Sequence, residues 1–221
     1  MNAEKDFGSQ HRHGYGADHP RFPGFDVLGQ AGAWDDVTRE LIVNRLNPDP
    51  HLRFFTATEF LTAAALLDQL TGQIDDPIVP VAQMIDIRMA DDSTDGWHFE
   101  GMPRDHDVWK ATVHGLDDDA HAAHGKAFAD CDSDQQQAIL TAIHKADPEG
   151  EWHGMNANRT WNLWMRYACT AFYSHPAAWN EIGFSGPAYP RGYKNAHVGT
   201  LEPYEVHDAM PKDDPAREGR R

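Results

Sequence analysis

Apolar residues recur every three or four positions through most of this chain, which is the spacing that lines one face of a helix. No stretch alternates apolar and polar residues in a run rich in Val, Ile and Thr, so strands are not predicted. The sequence therefore predicts an all-α fold. The predicted helices cover 34–46, 56–72, 81–89, a stretch from 105 or 107 to about 123, a helix opened at 133 that ends before 147, 158–173 and 176–181.

Short sequence signals mark several helix ends. Thr56 with Glu59 forms one predicted capping box, and Ser133 with Gln136 forms a second. Phe55 and Phe60 flank the first box at the spacing of a hydrophobic staple. Gly72 and Gly183 are predicted to end their helices, because glycine readily takes the left-handed conformation found there.

The same periodicity predicts which side chains face the core. The predicted buried residues are Val37, Leu41 and either Val43 or Leu46 in the first helix, Trp109, Val113, Leu116, Ala120 and Ala123 in the fourth, Ile139, Leu140 and Ile143 in the fifth, and Trp161, Trp164, Met165, Ala168 and Phe172 in the sixth.

Composition changes abruptly at both ends of the helical region. Residues 1–33 are rich in Gly, His and Pro without periodicity and predict an extended arm. Residues 34–206 form the predicted compact helical domain, whose C-terminal part is an irregular Pro/Gly/aromatic segment. Residues 207–221 form a predicted solvated tail.

The charge of the chain excludes some classes of partner. A formal charge of −16 over 221 residues disfavours nucleic acid and anionic membrane surfaces, which both attract basic proteins. No apolar run is long enough for membrane insertion, and residues 1–20 show no export signal. We therefore expect a cytoplasmic location, or export in complex with a partner that carries the signal. For Cys131 and Cys169 a disulfide is one alternative, and a pair of free, buried thiols is the favoured interpretation.

The segment HPAAWNEIGFSGPAYPRGY at 175–193 combines large aromatic residues with Gly and Pro, which prevent a continuous helix or strand. Such a rigid aromatic loop packs against something specific, which is the protein's own core, a substrate or another chain. The guanidinium of Arg191 is predicted to serve as an intramolecular brace, as an anchor on a partner, or as both. The candidate partner-interface residues are Trp179, Phe184, Tyr189, Arg191 and Tyr193.

Candidates for chemistry are few. The sequence has no glycine-rich dinucleotide turn, no haem-attachment motif and too few cysteines for an iron–sulfur cluster. His114, Asp118 and His121 share one helix face at a spacing that suits Zn²⁺, with Asp117 and His124 beside them; a solvated polar face is the alternative interpretation. His175 with Glu181 or Asp208 can be drawn as an acid–base pair, but a histidine before Pro176 is more typical of a helix cap. No catalytic, cofactor-binding or metal residue is therefore assigned.

The 175–193 segment resembles the C-terminal signature of the gluconate 2-dehydrogenase subunit 3 family, the small (gamma) subunits of flavin-dependent sugar and sugar-acid dehydrogenases. Weaker similarities occur in the same order along residues 22–206. They are WDDVTRELIVNRL at 34–46, FFTATEF at 54–60, Gly101–Met102–Pro103, Gly115–Leu116, Asp119–Ala120, Gly125 with Phe128, the helix start at 133–137, and LEPYE at 201–205.

This resemblance implies a non-catalytic accessory subunit that stabilises or chaperones a large FAD-dependent dehydrogenase of the glucose–methanol–choline type. FAD is then expected in the partner and not in this chain, and a cytochrome c subunit is a further expected partner. Two alternatives stay open from the residues alone: a stand-alone metal-binding helical enzyme, and a structural protein that binds an unrelated partner.

Overall fold

A computed structural model describes residues 21–74, 76–195 and 200–210. Its helices are α1 (Asp36–Asn44), α2 (Ala57–Thr71), α3 (Val81–Ala90), α4 (Asp105–His124), α5 (Ser133–His144), α6 (Ala157–Phe172) and α7 (Pro176–Ile182), with 3₁₀ helices at Val27–Ala33 and Phe128–Asp130. Across these residues, the only strands are β1 (Glu151–Trp152) and β2 (Met155–Asn156), an antiparallel pair with Trp152 opposite Met155. The all-α prediction is confirmed.

The chain divides into two compact units. The central unit, residues 48–172, contains α2 to α6 and the small sheet. The terminal unit joins residues 1–47 to residues 173–221 and contains α1, α7 and the first 3₁₀ helix. The predicted boundaries at 33/34 and 206/207 stay a prediction, and the outer parts of the predicted arm and tail, residues 1–20 and 211–221, lie outside the described residues.

Helix α2 lies at the middle of the central unit, where it contacts α3, α4, α5 and α6. Trp109 of α4 and Trp164 and Tyr167 of α6 are fully buried, and the Trp109 and Tyr167 rings meet edge to face with centroids 5.8 Å apart. The Trp164 indole N–H donates to Thr112 Oγ1 at 2.8 Å, which satisfies a polar group that burial would otherwise penalise.

A buried carboxylate fixes the chain just before α2. Asp86 of α3 is fully buried and accepts hydrogen bonds from the backbone N–H groups of Arg53, Phe54 and Phe55 at 2.8–3.0 Å. These three bonds hold the backbone that leads into α2. The capping box of Thr56 and Glu59 then begins the helix, as predicted.

Several other predicted helix ends are confirmed. Gly72 and Gly183 end α2 and α7 with φ of 70° and 68°. The second capping box lies one residue earlier than predicted, since Asp132 is the extended residue whose carboxylate accepts from Gln135 N at 2.9 Å. The aspartate is as good a cap as the serine after it, so spacing alone could not choose between them.

The predicted core is partly confirmed. Burial holds for Trp109, Val113, Leu116, Ala120, Ile139, Leu140, Ile143, Trp164 and Ala168, whereas Leu46, Trp161, Met165 and Phe172 are half-buried. The prediction was wrong for Ala123, which is exposed in the last turn of α4. Cys131 and Cys169 are free as predicted, but only Cys131 is buried.

The prediction of which α1 side chains face the core was also wrong. Val37, Leu41 and Val43 are exposed, and Ile42 is the buried residue of this helix. Ile42 packs in a cluster with three buried residues that lie outside α1. The apolar spacing within the nine residues of the helix cannot show such tertiary contacts.

Candidate partner interface

The terminal unit has a small core of four buried side chains. They are Val27, Trp34, Ile42 and Trp179. The Trp179 indole N–H donates to the Tyr173 carbonyl at 2.7 Å, which anchors α7 on the preceding turn. Trp179 was predicted at a partner interface, and the structure places it inside this core with only 4% of its surface exposed.

His175 begins α7. Its backbone is extended and its Nδ1 accepts the Ala177 N–H at 3.2 Å, so the histidine serves as the helix cap. Burial, and then the charge of Arg45, lowers the pKa of the imidazole to about 4. His175 is therefore neutral at physiological pH. The suggested acid–base partner Asp208 instead pairs with Arg21.

Two glycines let the loop after α7 lie directly against the N-terminal segment. A Cβ added at Gly183 would lie 2.3 Å from the Phe22 ring, and one added at Gly186 would lie 2.6 Å from the Trp34 ring. Both glycines also have positive φ. Any other residue at these positions would push the loop off its own unit.

Arg191 braces the loop, as one of the two interpretations of its sequence predicted. Its Nη1 donates to Gln30 Oε1 at 2.8 Å, and its guanidinium carbon lies 3.8 Å from the centroid of the Tyr204 ring. The Tyr204 hydroxyl in turn donates to the Gly192 carbonyl at 3.1 Å. The loop is thus held between the N-terminal and C-terminal segments of the same unit.

Further contacts tie the C-terminal segment to this loop. Buried Glu202 accepts from the backbone N–H groups of Lys194 and Asn195, both at 2.5 Å. The Ser185 hydroxyl accepts from Val206 N at 3.3 Å. Specific polar contacts therefore hold the described parts of this irregular region, 183–195 and 200–210, in place without helix or strand.

The model of one protein family, gluconate 2-dehydrogenase subunit 3, matches residues 57–186. The match covers more than half of the chain and reaches from the start of α2 to the loop after α7. The chain belongs to this family. No curated protein and no solved structure matches the chain.

Membership in the gluconate 2-dehydrogenase subunit 3 family makes the chain an accessory subunit of a dehydrogenase complex, associated with other subunits of that complex. The matched range, 57–186, is shorter than residues 22–206, over which the sequence resembles the family. None of the described helices has the length and apolar character to cross a membrane.

Most of the exposed large apolar side chains among the described residues belong to the terminal unit. Of twelve such side chains in the described residues, nine belong to the terminal unit, although this unit is the smaller part of the described chain. The nine are Val37, Leu41, Val43, Tyr173, Ile182, Phe184, Tyr189, Tyr193 and Leu201. Three of the predicted interface residues are among them: Phe184 is 40% exposed, and Tyr189 and Tyr193 are each 65% exposed.

The histidine-rich face of α4 is occupied by contacts within the central unit. His114 Nε2 lies 3.3 Å from Glu59 Oε1, and the other oxygen of Glu59 binds Lys110 Nζ at 2.6 Å. His121 Nδ1 contacts its own helix at the Asp117 carbonyl, at 2.7 Å. The described residues contain no group of three or more His, Cys, Asp or Glu side chains arranged to hold a metal ion.

Gln30 and Tyr204 were missed as parts of the site. Tyr204 lies within the LEPYE motif, so its position was marked but not its role under Arg191. Gln30 lies in a segment without periodicity and 161 positions away from Arg191, and no local signal points to it.

Proposed function

We propose that this chain is the non-catalytic small subunit of a flavin-dependent sugar or sugar-acid dehydrogenase complex, and that it stabilises or chaperones the FAD-bearing catalytic subunit. The terminal unit provides the contact surface. FAD resides in the companion, which is a large dehydrogenase of the glucose–methanol–choline type, and a cytochrome c subunit is a further partner.

The observation that carries this proposal is the uneven exposure of apolar side chains. Soluble monomers rarely expose large contiguous apolar patches, and aromatic side chains with arginine are enriched at protein interfaces. The terminal unit exposes Phe184, Tyr189 and Tyr193 on one loop, on a support that includes Trp179 and Arg191. In this proposal Trp179 supports the loop from the core of the terminal unit, and the three exposed rings contact the catalytic subunit.

The rigidity of the loop strengthens this argument. The loop backbone lies close to the rings of Phe22 and Trp34 at Gly183 and Gly186, and Arg191 stacks on Tyr204. These contacts hold the loop in place within the chain itself. A preformed surface loses little conformational entropy on binding, so its contacts translate more fully into affinity.

The test is purification of the tagged chain from its native host, followed by mass spectrometry and a flavin absorbance spectrum of the captured complex. We expect a flavin-dependent dehydrogenase subunit in stoichiometric amount, with the flavin retained by that subunit when the two chains are separated. The Phe184→Ala/Tyr189→Ala/Tyr193→Ala variant is expected to lose the companion.

A matched control is Leu61→Ala, which removes an apolar side chain that is 60% exposed on the central unit. This variant is expected to retain the companion. Capture of no dehydrogenase subunit by the wild-type chain, or turnover of a sugar by the isolated chain, would contradict the proposal.

A further inference from the structure

Helix α1 carries two rows of exposed side chains on the face opposite its buried residue, Ile42. Val37 and Leu41 are 73% and 53% exposed and lie four positions apart, so they are neighbours along the helix. Asp36 and Glu40 are exposed at the same spacing and form a second row beside them. These four residues are the outer face of α1, an apolar row next to an acidic row.

The described part of the chain makes little use of this face. Asp36 forms an ion pair with Arg39, but the Asp36 side chain is almost fully exposed, and such a pair contributes little. Glu40 takes part in no ion pair among the described residues. The helix is instead capped by Asp35 and packed through Ile42. The outer face is therefore not needed to form α1 or to hold it in the terminal unit.

The two rows indicate what kind of surface fits them. Apolar side chains at positions i and i+4 form a ridge, which packs into the groove between ridges of a second helix. The neighbouring carboxylates favour Lys or Arg side chains beside that groove, because complementary charges suppress wrong partners and fix register. The excess of 35 acidic over 19 basic residues also attracts a basic surface from a distance.

We propose that the outer face of α1 docks an amphipathic helix of the companion dehydrogenase subunit, in which Lys or Arg side chains border an apolar row. Val37 and Leu41 pack on that row, and Glu40 pairs with a basic side chain. The inference rests on the proposed function and adds a second contact to that of the loop after α7, with the chemistry of the partner's surface there. Because both contacts belong to one chain, binding at either keeps the other close to its site.

The first experiment measures association and dissociation rates of the full chain with its copurified dehydrogenase subunit. Leu41→Ala removes apolar contact area and is expected to raise the dissociation rate about tenfold. Glu40→Gln removes one charge and is expected to lower the association rate about threefold at low ionic strength. This second effect is expected to shrink at high ionic strength, because salt screens exposed charges.

Two controls make the same chemical changes on the central unit. Leu61→Ala removes a leucine that is 60% exposed, and Glu149→Gln removes an exposed carboxylate. Both variants are expected to bind as wild type does. Equal slowing of association by Glu149→Gln and Glu40→Gln would mean that net charge alone guides binding, which overturns the pairing at Glu40. All four variants are expected to keep the wild-type melting temperature, because the altered side chains are exposed.

Photo-crosslinking identifies what lies on the outer face of α1. A benzoylphenylalanine replaces Asn44, which is exposed one turn after Glu40, and the complex with the copurified dehydrogenase subunit is irradiated. We expect a cross-linked companion peptide whose apolar residues recur every three or four positions, with Lys or Arg beside them. A companion peptide without this pattern, or a cross-link only within this chain, overturns the proposed occupant.

The outcomes separate this inference from the proposed function. Suppose that the Phe184→Ala/Tyr189→Ala/Tyr193→Ala variant loses the companion while Leu41→Ala and Glu40→Gln bind as wild type does. The docking of a helix on α1 is then wrong, and the proposed function stands. If wild type captures no dehydrogenase subunit, both the proposed function and the docking are wrong.

Discussion

The central and terminal units differ in how much of their large apolar surface they cover. The central unit leaves exposed only Leu61, Ile74 and Trp97 of the large apolar side chains described, whereas the smaller terminal unit leaves nine exposed. The terminal unit is ordered by internal contacts and still exposes nine large apolar side chains, three of them aromatic residues on the loop after α7. Aromatic residues are enriched at protein interfaces.

The largest predicted effect on stability is in the central unit. Asp86→Ala would leave three backbone N–H groups, those of residues 53–55, buried or part-buried without an acceptor. Bonds to a charged acceptor are worth about 1.5–3 kcal/mol each, so three give about 4.5 kcal/mol at the low end, and two of these three are only part-buried. We therefore expect a loss of about 4 kcal/mol in the free energy of unfolding. Urea unfolding followed by circular dichroism measures this loss.

The control for this experiment is Asp91→Ala, whose carboxylate forms an exposed ion pair with Arg53. An exposed pair contributes little, and we expect a change below about 0.5 kcal/mol. A loss of similar size in both variants would show that the central unit does not depend on its buried carboxylate.

The free energy of unfolding is expected to depend on pH through His175 of the terminal unit. Burial lowers the pKa of His175 from 6.5 to about 4, so the unfolded chain takes up this proton at higher pH than the folded chain. The stability contributed by neutral His175 is present above pH 6.5 and is lost as the pH falls toward 4. The expected loss reaches about 3 kcal/mol, on the scale of 1.36 kcal/mol per pKa unit.

His175→Asn tests this dependence, because asparagine retains a side-chain oxygen for the helix cap but does not titrate. We expect the difference in melting temperature between wild type and variant to change between pH 7 and pH 4.5, with wild type losing more stability. Parallel pH profiles for the two proteins would contradict the assignment to His175.

Gly186→Ala tests how tightly the loop is held. The new Cβ would lie 2.6 Å from the Trp34 ring, and φ of 74° strains any residue with a side chain. We expect a loss of about 2 kcal/mol in the free energy of unfolding, as for overpacking. Gly24→Ala has a similar φ of 72° but open space around the Cβ, so it reports the backbone cost alone, about 1 kcal/mol. Equal losses would show that the contact with Trp34 is unimportant.

The smallest effect on stability is predicted for the exposed rings. Tyr189→Ala is expected to change the free energy of unfolding by less than about 0.5 kcal/mol, as is usual for surface positions. Its affinity for the companion subunit, measured by titration calorimetry, is expected to fall at least tenfold. Unchanged affinity would show that Tyr189 does not contribute to the interface.

Local signals in the sequence predicted much of the fold but not which unit each part joins. The capping box at Thr56, the stop at Gly72 and the cap at His175 depend on a few neighbouring residues, and all were predicted. The buried face of α1 depends on partners far along the chain, so periodicity misplaced it. The burial of Trp179 depends on Val27, Trp34 and Ile42, which the composition of its own segment could not indicate. For the same reason the loop was recognised from its composition, while Gln30, its distant support, was not.

Hydrogen exchange on the free chain and on its complex with the dehydrogenase subunit tests the central claim most directly. The account predicts new protection in the terminal unit, in peptides covering 36–44 and 182–195, with little change in the central unit. Protection confined to residues 48–172, with the terminal unit exchanging as in the free chain, would contradict it.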